Sequence, residues 1–211
     1  MTPFETFFDG HLFVINLAKR GDRLAHFTAM CARTGLPPIQ RFEACVVNDE
    51  NGRPQGNRGC TASHRALLEM QIANGWPRMF VFEDDAELIY SDFSERWDRF
   101  AAELPATWDM IFLGAGYAEP PLKRVSPHVI RAGRLMTTSS YGITLTMAKR
   151  MAPSIVGVGP IDSLYAGFQR EAETYIISPR CVVQFPSFSD LTERENSNAM
   201  SMLDRAFEVN L

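Results

Sequence analysis

Glu83, Asp84 and Asp85 close the apolar run Met79-Phe80-Val81-Phe82 and are the residues of this chain best suited to chemistry. Two carboxylates about 4 Å apart repel by roughly 4 kcal/mol at an effective dielectric of about 20, so a tight acidic cluster with no basic neighbour in sequence favours a bound cation. All-oxygen ligands select a hard ion such as magnesium or manganese. Alternation along an extended chain would send Glu83 and Asp85 one way and Asp84 the other. The alternative reading is that the three acids cap and charge-complement the start of a helix. The run before them suits a strand covered on both faces, and in such sheets the ligand crevice lies beyond the carboxyl ends of the strands.

Three other groups could do chemistry. Lys19, Arg20 and Arg23 follow the apolar run Leu12-Phe13-Val14-Ile15-Asn16-Leu17 and stand beside a helix start, where a nucleotide or its phosphates could be held; a solvated basic turn is the alternative. Cys60 and His64, four apart, could share a helix face as a thiolate-imidazole or metal pair, or be a small buried cysteine and a hydrogen-bonded histidine. Asp162, in Pro160-Ile161-Asp162-Ser163, would by default cap the apolar helix that follows.

The elements that must position these groups alternate between strand and helix. Asp22 is placed to cap a helix through Leu24, Phe27, Met30 and Cys31, stopped by Gly35, Pro37 and Pro38. A strand is expected over 42–47, a polar, mobile loop over 48–58 and a helix over 61–74 that feeds the acidic strand. Asp92 would cap a helix bearing Phe93, Trp97, Phe100 and Leu104, ended by Pro105. A strand over 108–113 ends in Gly114-Ala115-Gly116-Tyr117, a flexible exit at the ligand edge, and 120–133 suggests a hairpin or loop at the mouth of the site. The run 137–145, dense in hydroxyls, reads as a strand, as do 174–177 and 181–185, and a polar tail begins at about 187.

The chain has 211 residues, 45% hydrophobic and 22% charged, with a formal net charge of -4, which fits one globular domain and gives no electrostatic grip on nucleic acid. No apolar run approaches the roughly 20 residues that span a bilayer, and Glu5 and Asp9 with no basic leader do not read as a signal peptide, so a cytoplasmic protein is expected, at most peripheral to the inner face of a membrane. The four cysteines form no C-x-x-C pair and are expected to be free thiols. Oligomeric state is open.

Six segments together resemble glycosyltransferase family 25, which includes lipopolysaccharide and lipooligosaccharide galactosyltransferases and the collagen galactosyltransferase domain. In order they are Val14-Ile15-Asn16-Leu17 with Arg20 and Arg23, Gly59-Cys60-Thr61-Ala62-Ser63-His64, Phe82-Glu83-Asp84-Asp85-Ala86, Ser139-Ser140-Tyr141-Gly142, Pro160-Ile161-Asp162, and Ser189-Asp190. Two positions depart: Arg58 stands where the family usually has an apolar residue, and Gly142 where a larger one is common. The resemblance implies a single GT-A domain over residues 1–211 with a mostly parallel central sheet, a UDP-sugar donor (UDP-galactose first), manganese or magnesium, and inversion at the anomeric carbon during transfer to a glycan or glycoconjugate. It implies donor contacts from Asn16, Arg20, Arg23, Ser63, His64, Asp84 and Tyr141, and metal ligation by Glu83 and Asp85. The last histidine is His128, so Asp190, Ser189 or water would complete the metal site. An inverting displacement needs a carboxylate on the acceptor side, away from the metal, and Asp162 is the choice for that base. A metal-dependent nucleotidyltransferase and a non-catalytic nucleotide-sugar or glycan-binding module could use the same acids.

Overall fold

The structure, a computed structural model, describes residues 1–156, 159–186, 188–189 and 194–195. Helix α1 (Pro3–Phe7) is closed by a Thr2/Glu5 capping box. Then come β1 (Leu12–Asn16), α2 (Gly21–Thr34), β2 (Gln40–Glu43), α3 (Gly56–Asn74), β3 (Arg78–Glu83), β4 (Ala86–Leu88) and α4 (Phe93–Glu103). They are followed by β5 (Met110–Phe112), β6 (Tyr117–Ser126), β7 (Val129–Met136), β8 (Ser140–Thr144), α5 (Leu145–Met151) and α6 (Ile161–Gln169). The last strands are β9 (Thr174–Ile177), β10 (Val182–Gln184), β11 (Phe188–Ser189) and β12 (Arg194–Glu195).

The fold is α/β around an 8-stranded sheet of order β2-β1-β3-β8-β5-β9-β7-β6. β1 pairs in parallel with β2 and β3, and β5 with β9, while β8 lies antiparallel between β3 and β5, so the sheet is mixed. Alternation sorts the side chains. Phe13, Ile15, Met79 and Val81 join one core with Leu67, Leu68, Met147 and Tyr165; Leu12, Val14, Phe80 and Phe82 join the other with Phe4, Phe27, Met30 and Trp97. Helices therefore cover both faces, and β1 is buried along its whole length.

Several boundaries differ from the sequence expectation because side chains found other partners. α2 starts at Gly21, and Asp22 does not cap it, since Arg20 Nε and Nη2 take its carboxylate at 3.0 and 2.9 Å. Asp92 sits at the N-cap of α4 but accepts from Arg96 Nε at 2.8 Å. β2 spans 40–43 rather than 42–47, because the Cys45 N–H goes to Ser63 Oγ at 2.8 Å and the Val47 carbonyl to Gln55 N at 2.7 Å. Within the polar segment, Asp49 Oδ1 accepts from the N–H groups of Asn51 and Arg53, both at 2.8 Å, making a closed turn, and α3 already begins at Gly56. The β6–β7 hairpin forms, but on the sheet edge opposite β2. Gly75 ends α3 at φ 67, the left-handed cap that glycine enters without strain. The polar tail from about 187 lies outside the described residues except for β11 and β12.

Gly142 has a packing reason. A Cβ there would lie 2.8 Å from Ile111 Cγ1 and 2.9 Å from two ring carbons of Phe8. Phe8 belongs to an aromatic cluster with Phe4 and Phe80, at centroid distances of 5.3 and 5.1 Å, that ties the α1 end to the sheet. Gly142→Ala should therefore cost about 1–3 kcal/mol. In a double-mutant cycle by chemical denaturation, most of that cost should vanish in a Phe8→Ala background. Strict additivity of the two losses would mean that Phe8 is not what excludes the side chain.

Candidate functional site

The acids stand where the sheet ends. β3 stops at Glu83, and Asp84-Asp85 form a turn before β4, so strand alternation does not carry through them. Asp84 and Asp85 both face Arg23 of α2: Arg23 Nη1 donates to Asp84 Oδ1 at 2.7 Å, and Nη2 lies 3.6 Å from Asp85 Oδ2. Asn16, at the end of β1, donates to Asp84 Oδ2 at 2.7 Å and to the Arg20 carbonyl at 2.9 Å, while its own Oδ1 accepts from Arg41 Nε at 2.9 Å. Asp84 is thus committed to holding β1, α2 and β3 together. The positive neighbour missing from the local sequence comes from α2.

Glu83 turns to the other side. Its Oε1 accepts from Thr138 Oγ1 at 2.5 Å and faces His64 Nε2 at 3.2 Å. His64 Nδ1 lies 2.9 Å from Tyr141 Oη, which lies 3.0 Å from Tyr165 Oη. His64 thus bridges Glu83 and the Tyr141–Tyr165 pair, with the donor at each ring nitrogen set by its protonation and tautomer. Burial raises Glu83, but the hydrogen bond and charge of His64, the Thr138 hydroxyl and the charge of Arg23 together outweigh it and hold the carboxyl below its ordinary range. Asp84 is raised, chiefly by burial and despite Arg23. Asp85 is pushed up to about 7, first by burial and then by the charge of Glu83, and its Oδ1 is buried with no hydrogen-bond partner.

These groups border a cleft of about 350 Å³. Ile15, Lys19 and Arg23 form one side, Ala44 to Val47 a lip, Gly59, Cys60, Ser63 and His64 the α3 wall, and Glu83, Asp84 and Asp85 the end. A Cβ on Gly59 would approach the Cys45 carbonyl oxygen to 2.7 Å, so glycine lets the lip lie directly on α3. Cys60 Sγ, a ring nitrogen of His64 and a carboxylate oxygen of Glu83 lie within 4.8 Å of one another and could hold a metal, but burial and nearby carboxylates push the Cys60 thiol well up, which keeps it protonated and a poor ligand for a hard ion.

Of the residues named from the sequence, Arg23, Ser63, His64, Glu83, Asp84 and Asp85 line this cleft. Asn16 and Tyr141 are buried behind it and reach it through Asp84 and His64. Arg20 is engaged with Asp22. Asp162 lies in the first turn of α6, whose N-cap is Pro160; among the described residues its Oδ1 accepts only from the adjacent Ser163 N–H, at 2.8 Å, and its charge bears on Cys60. Thr61 Oγ1 donates to the Gly159 carbonyl at 2.9 Å and docks this helix start on α3. Asp190 lies outside the described residues. Sequence reasoning missed Thr138, Arg41 and the 44–47 lip; the run of hydroxyls at 137–140 was the signal for the first. The hairpin expected at the mouth contributes no lining residue here.

Fold and site together define an α/β domain with an acidic cleft at the end of its sheet. The chain is similar to glycosyltransferase 25 family members, in keeping with its motifs. It is 31% identical over 179 residues to the human "Inactive glycosyltransferase 25 family member 3", a match covering 72% of this chain and 30% of that protein. The mouse protein of that name is 29% identical over 106 residues, covering 47% and 18%. The chain thus spans less than a third of the length of these relatives. No family model matches it. Among solved structures, A197 from STIV shares the fold at 12% identity and a TM-score of 0.50, covering 88% of this chain and 93% of that one. A Drosophila β-1,4-galactosyltransferase 7 mutant, in complex with manganese, UDP-Gal and xylobiose, gives 10% identity and a TM-score of 0.48, covering 92% and 77%.

Proposed function

We propose that this chain is a metal-dependent inverting glycosyltransferase domain that moves a hexose, galactose first, from a UDP-sugar to a hydroxyl of a glycan or glycoconjugate. The observation that carries the reading is Asp85, a buried carboxylate with an unpartnered oxygen at the end of a cleft of about 350 Å³. Asp84 has both oxygens engaged, by Asn16 and Arg23, and Glu83 has one, Oε1, engaged by Thr138 and His64, so Asp85 is the acid with the most lone pairs to offer.

The donor set fits a hard divalent ion. Asp85 would hold it, with Glu83 and Asp190 as the partners that the family motifs suggest. When bound, such an ion supplies charge neutralisation for a departing diphosphate. The rest falls to the chain's own side chains. Lys19 and Arg23 give the cleft positive charge beside the acids, and Ile15, Ala44, Val46 and Val47 give it an apolar wall of the kind a nucleobase or sugar face uses. Asp162, in the first turn of α6 and outside the acidic cluster, is the proposed base that takes the acceptor hydroxyl proton.

Asp162→Asn should keep the helix start and donor binding while the maximal rate falls about 100-fold or more. Near wild-type turnover would transfer the role to Asp190, since Glu171 is engaged with Arg150 and Glu173 with Arg131.

Screening nucleotide sugars for manganese-dependent UDP release, with water and then glycans as acceptor, tests the whole reading. UDP release from UDP-galactose that stops on chelation is expected. Release of pyrophosphate when UTP and a hexose 1-phosphate are supplied instead would make the protein a nucleotidyltransferase. The inactive relatives favour a second reading, a nucleotide-sugar or glycan-binding module, and metal-dependent donor binding with no release from any donor would establish that instead. No helix among the described residues is long and apolar enough to cross a membrane.

A further inference from the structure

A second cavity, about 540 Å³, lies between the β6–β7 hairpin and the end of α6, on the sheet edge opposite β2 and sharing no lining residue with the acidic cleft. Its walls carry Lys123, Arg131, Arg134 and Arg170 against one acid, Glu119. Even when Glu173, the partner of Arg131, is counted, cations exceed anions here in a chain whose net charge is -4.

The geometry has the marks of a receptor for an anion. Between Glu119↔Arg134 and Leu122↔Ala132 the hairpin register shifts, so Pro120 and Pro121 stand opposite the single residue Gly133. A bulge of this kind re-aims side chains and opens the strand pair. A Cβ on Gly133 would meet nothing within 4 Å, so the floor of the groove is open space. Arg134 Nη1 and Arg170 Nη2 converge on the same oxygen, Glu119 Oε2, at 3.0 and 3.7 Å, which sets two guanidinium groups side by side. Lys123 is exposed and has no ion-pair partner among the described residues. The side chains of Arg131 and Arg170 are 48% and 65% exposed, so their present ion pairs are weakly held and open to exchange. Two adjacent guanidiniums with an ammonium nearby suit the several oxygens of a phosphate better than a lone carboxylate.

We propose that this groove binds a phosphate group carried by a second ligand, with Arg134 and Arg170 forming the fork and Lys123 and Arg131 closing on the remaining oxygens. The phosphate belongs either to a soluble phosphorylated saccharide or to a lipid headgroup. The site does not depend on the acidic cleft being catalytic.

Titration of the ¹⁵N-labelled protein with pyrophosphate in metal-free buffer at low salt tests this, because chelation disfavours binding at the acids. The amides of Gly133, Arg134 and Arg170 should shift saturably, and the affinity should fall as salt is raised. The folded double variant Arg134→Gln/Arg170→Gln should bind roughly tenfold or more weakly. Lys123→Glu, on an exposed and unpaired side chain, should weaken binding without touching any ion pair. A hexose 1-phosphate and phosphatidylcholine vesicles containing phosphatidic acid then separate the two sources: groove-dependent shifts with the first assign a soluble ligand, and groove-dependent co-sedimentation with the second a lipid. Absence of saturable shifts at these amides, shifts confined to Lys19 and residues 44–47, or equal affinity in both variants would overturn the proposal.

Discussion

Metal-free Asp85→Asn should melt at a higher temperature than the wild type at pH 8 and yet lose transfer by about 100- to 1,000-fold, the usual consequence of removing one preorganised electrostatic contact. The two effects have one cause. Burial, reinforced by the charge of Glu83, pushes the Asp85 carboxyl from its ordinary 3.8 up to about 7. Below about pH 4 both folded and unfolded chains carry the proton, and the group adds nothing to the pH dependence. Between about 4 and 7 the unfolded chain ionises while the folded one resists, so stability is lost as pH rises, and above about 7 the full penalty is present. The amide removes that penalty, so the gap in melting temperature should open across this window and then level off. Manganese should reverse the order, raising the wild type and leaving the variant where it was. A variant that keeps both wild-type transfer and the manganese-induced shift would remove Asp85 from the site.

The paradox of a residue that costs stability is what separates Asp85 from its neighbours. Asp84 is as acidic in sequence, but Asn16 and Arg23 satisfy it, and Glu83 has Thr138 and His64. Nothing in the order Glu-Asp-Asp distinguishes the three. A strand with four consecutive apolar residues that ends in acids is visible locally, and so are helix stops at Gly35 and Gly75, because each depends on neighbours within a turn or two. The division of labour among the acids depends on Arg23, 61 residues from Asp84, on His64, 19 from Glu83, and on Thr138, 55 from Glu83. The same holds for the helix starts. Asp22 and Asp92 carry good capping side chains, and only the nearby Arg20 and Arg96, each geometrically able to take the carboxylate, drew them away. The start of α3 at Gly56 and the lip at 44–47 were hidden for a related reason: the lip's N–H and carbonyl groups are satisfied by Ser63 and Gln55 rather than by a strand ladder, and pattern alone cannot show where a backbone group finds its partner. Tyr141 shows the opposite case. Its motif was recognisable, but it sits fully buried behind His64, linking α6 to the cleft through hydrogen bonds.

Gly114→Ala should be the most damaging small substitution in the fold, costing about 3 kcal/mol or more, at the upper end for overpacking. Gly114-Ala115-Gly116 reads in sequence as a flexible exit from a strand, but the backbone at Gly114 is pressed against another chain segment. A Cβ there would fall inside the van der Waals shell of the Val182 carbonyl oxygen and 2.7 Å from the carbonyl carbon. The obstacle is backbone, so no side-chain rotation relieves it. Val182 cannot retreat freely either, because the N–H groups of Cys181 and Val182 donate to the Leu113 carbonyl at 2.7 and 3.0 Å. Those bonds seat β10 against the end of β5. β10 in turn pairs with β4 immediately after the acidic turn, and the Phe185 N–H donates to the Asp85 carbonyl at 2.6 Å. Displacing β10 therefore pulls on the backbone that carries Asp85. For a chain of this size a loss of about 3 kcal/mol corresponds to roughly 6–12 °C in melting temperature. Transfer measured well below the melting point should fall as well, since the remaining folded molecules hold Asp85 out of place. Gly116→Ala is the control: its Cβ would meet chiefly the methyl of Thr137, a side chain that can turn, and should be milder. A Gly114→Ala protein within about 2 °C of wild type would show that β10 can move aside, and that the close approach at Gly114 does not hold the acidic turn.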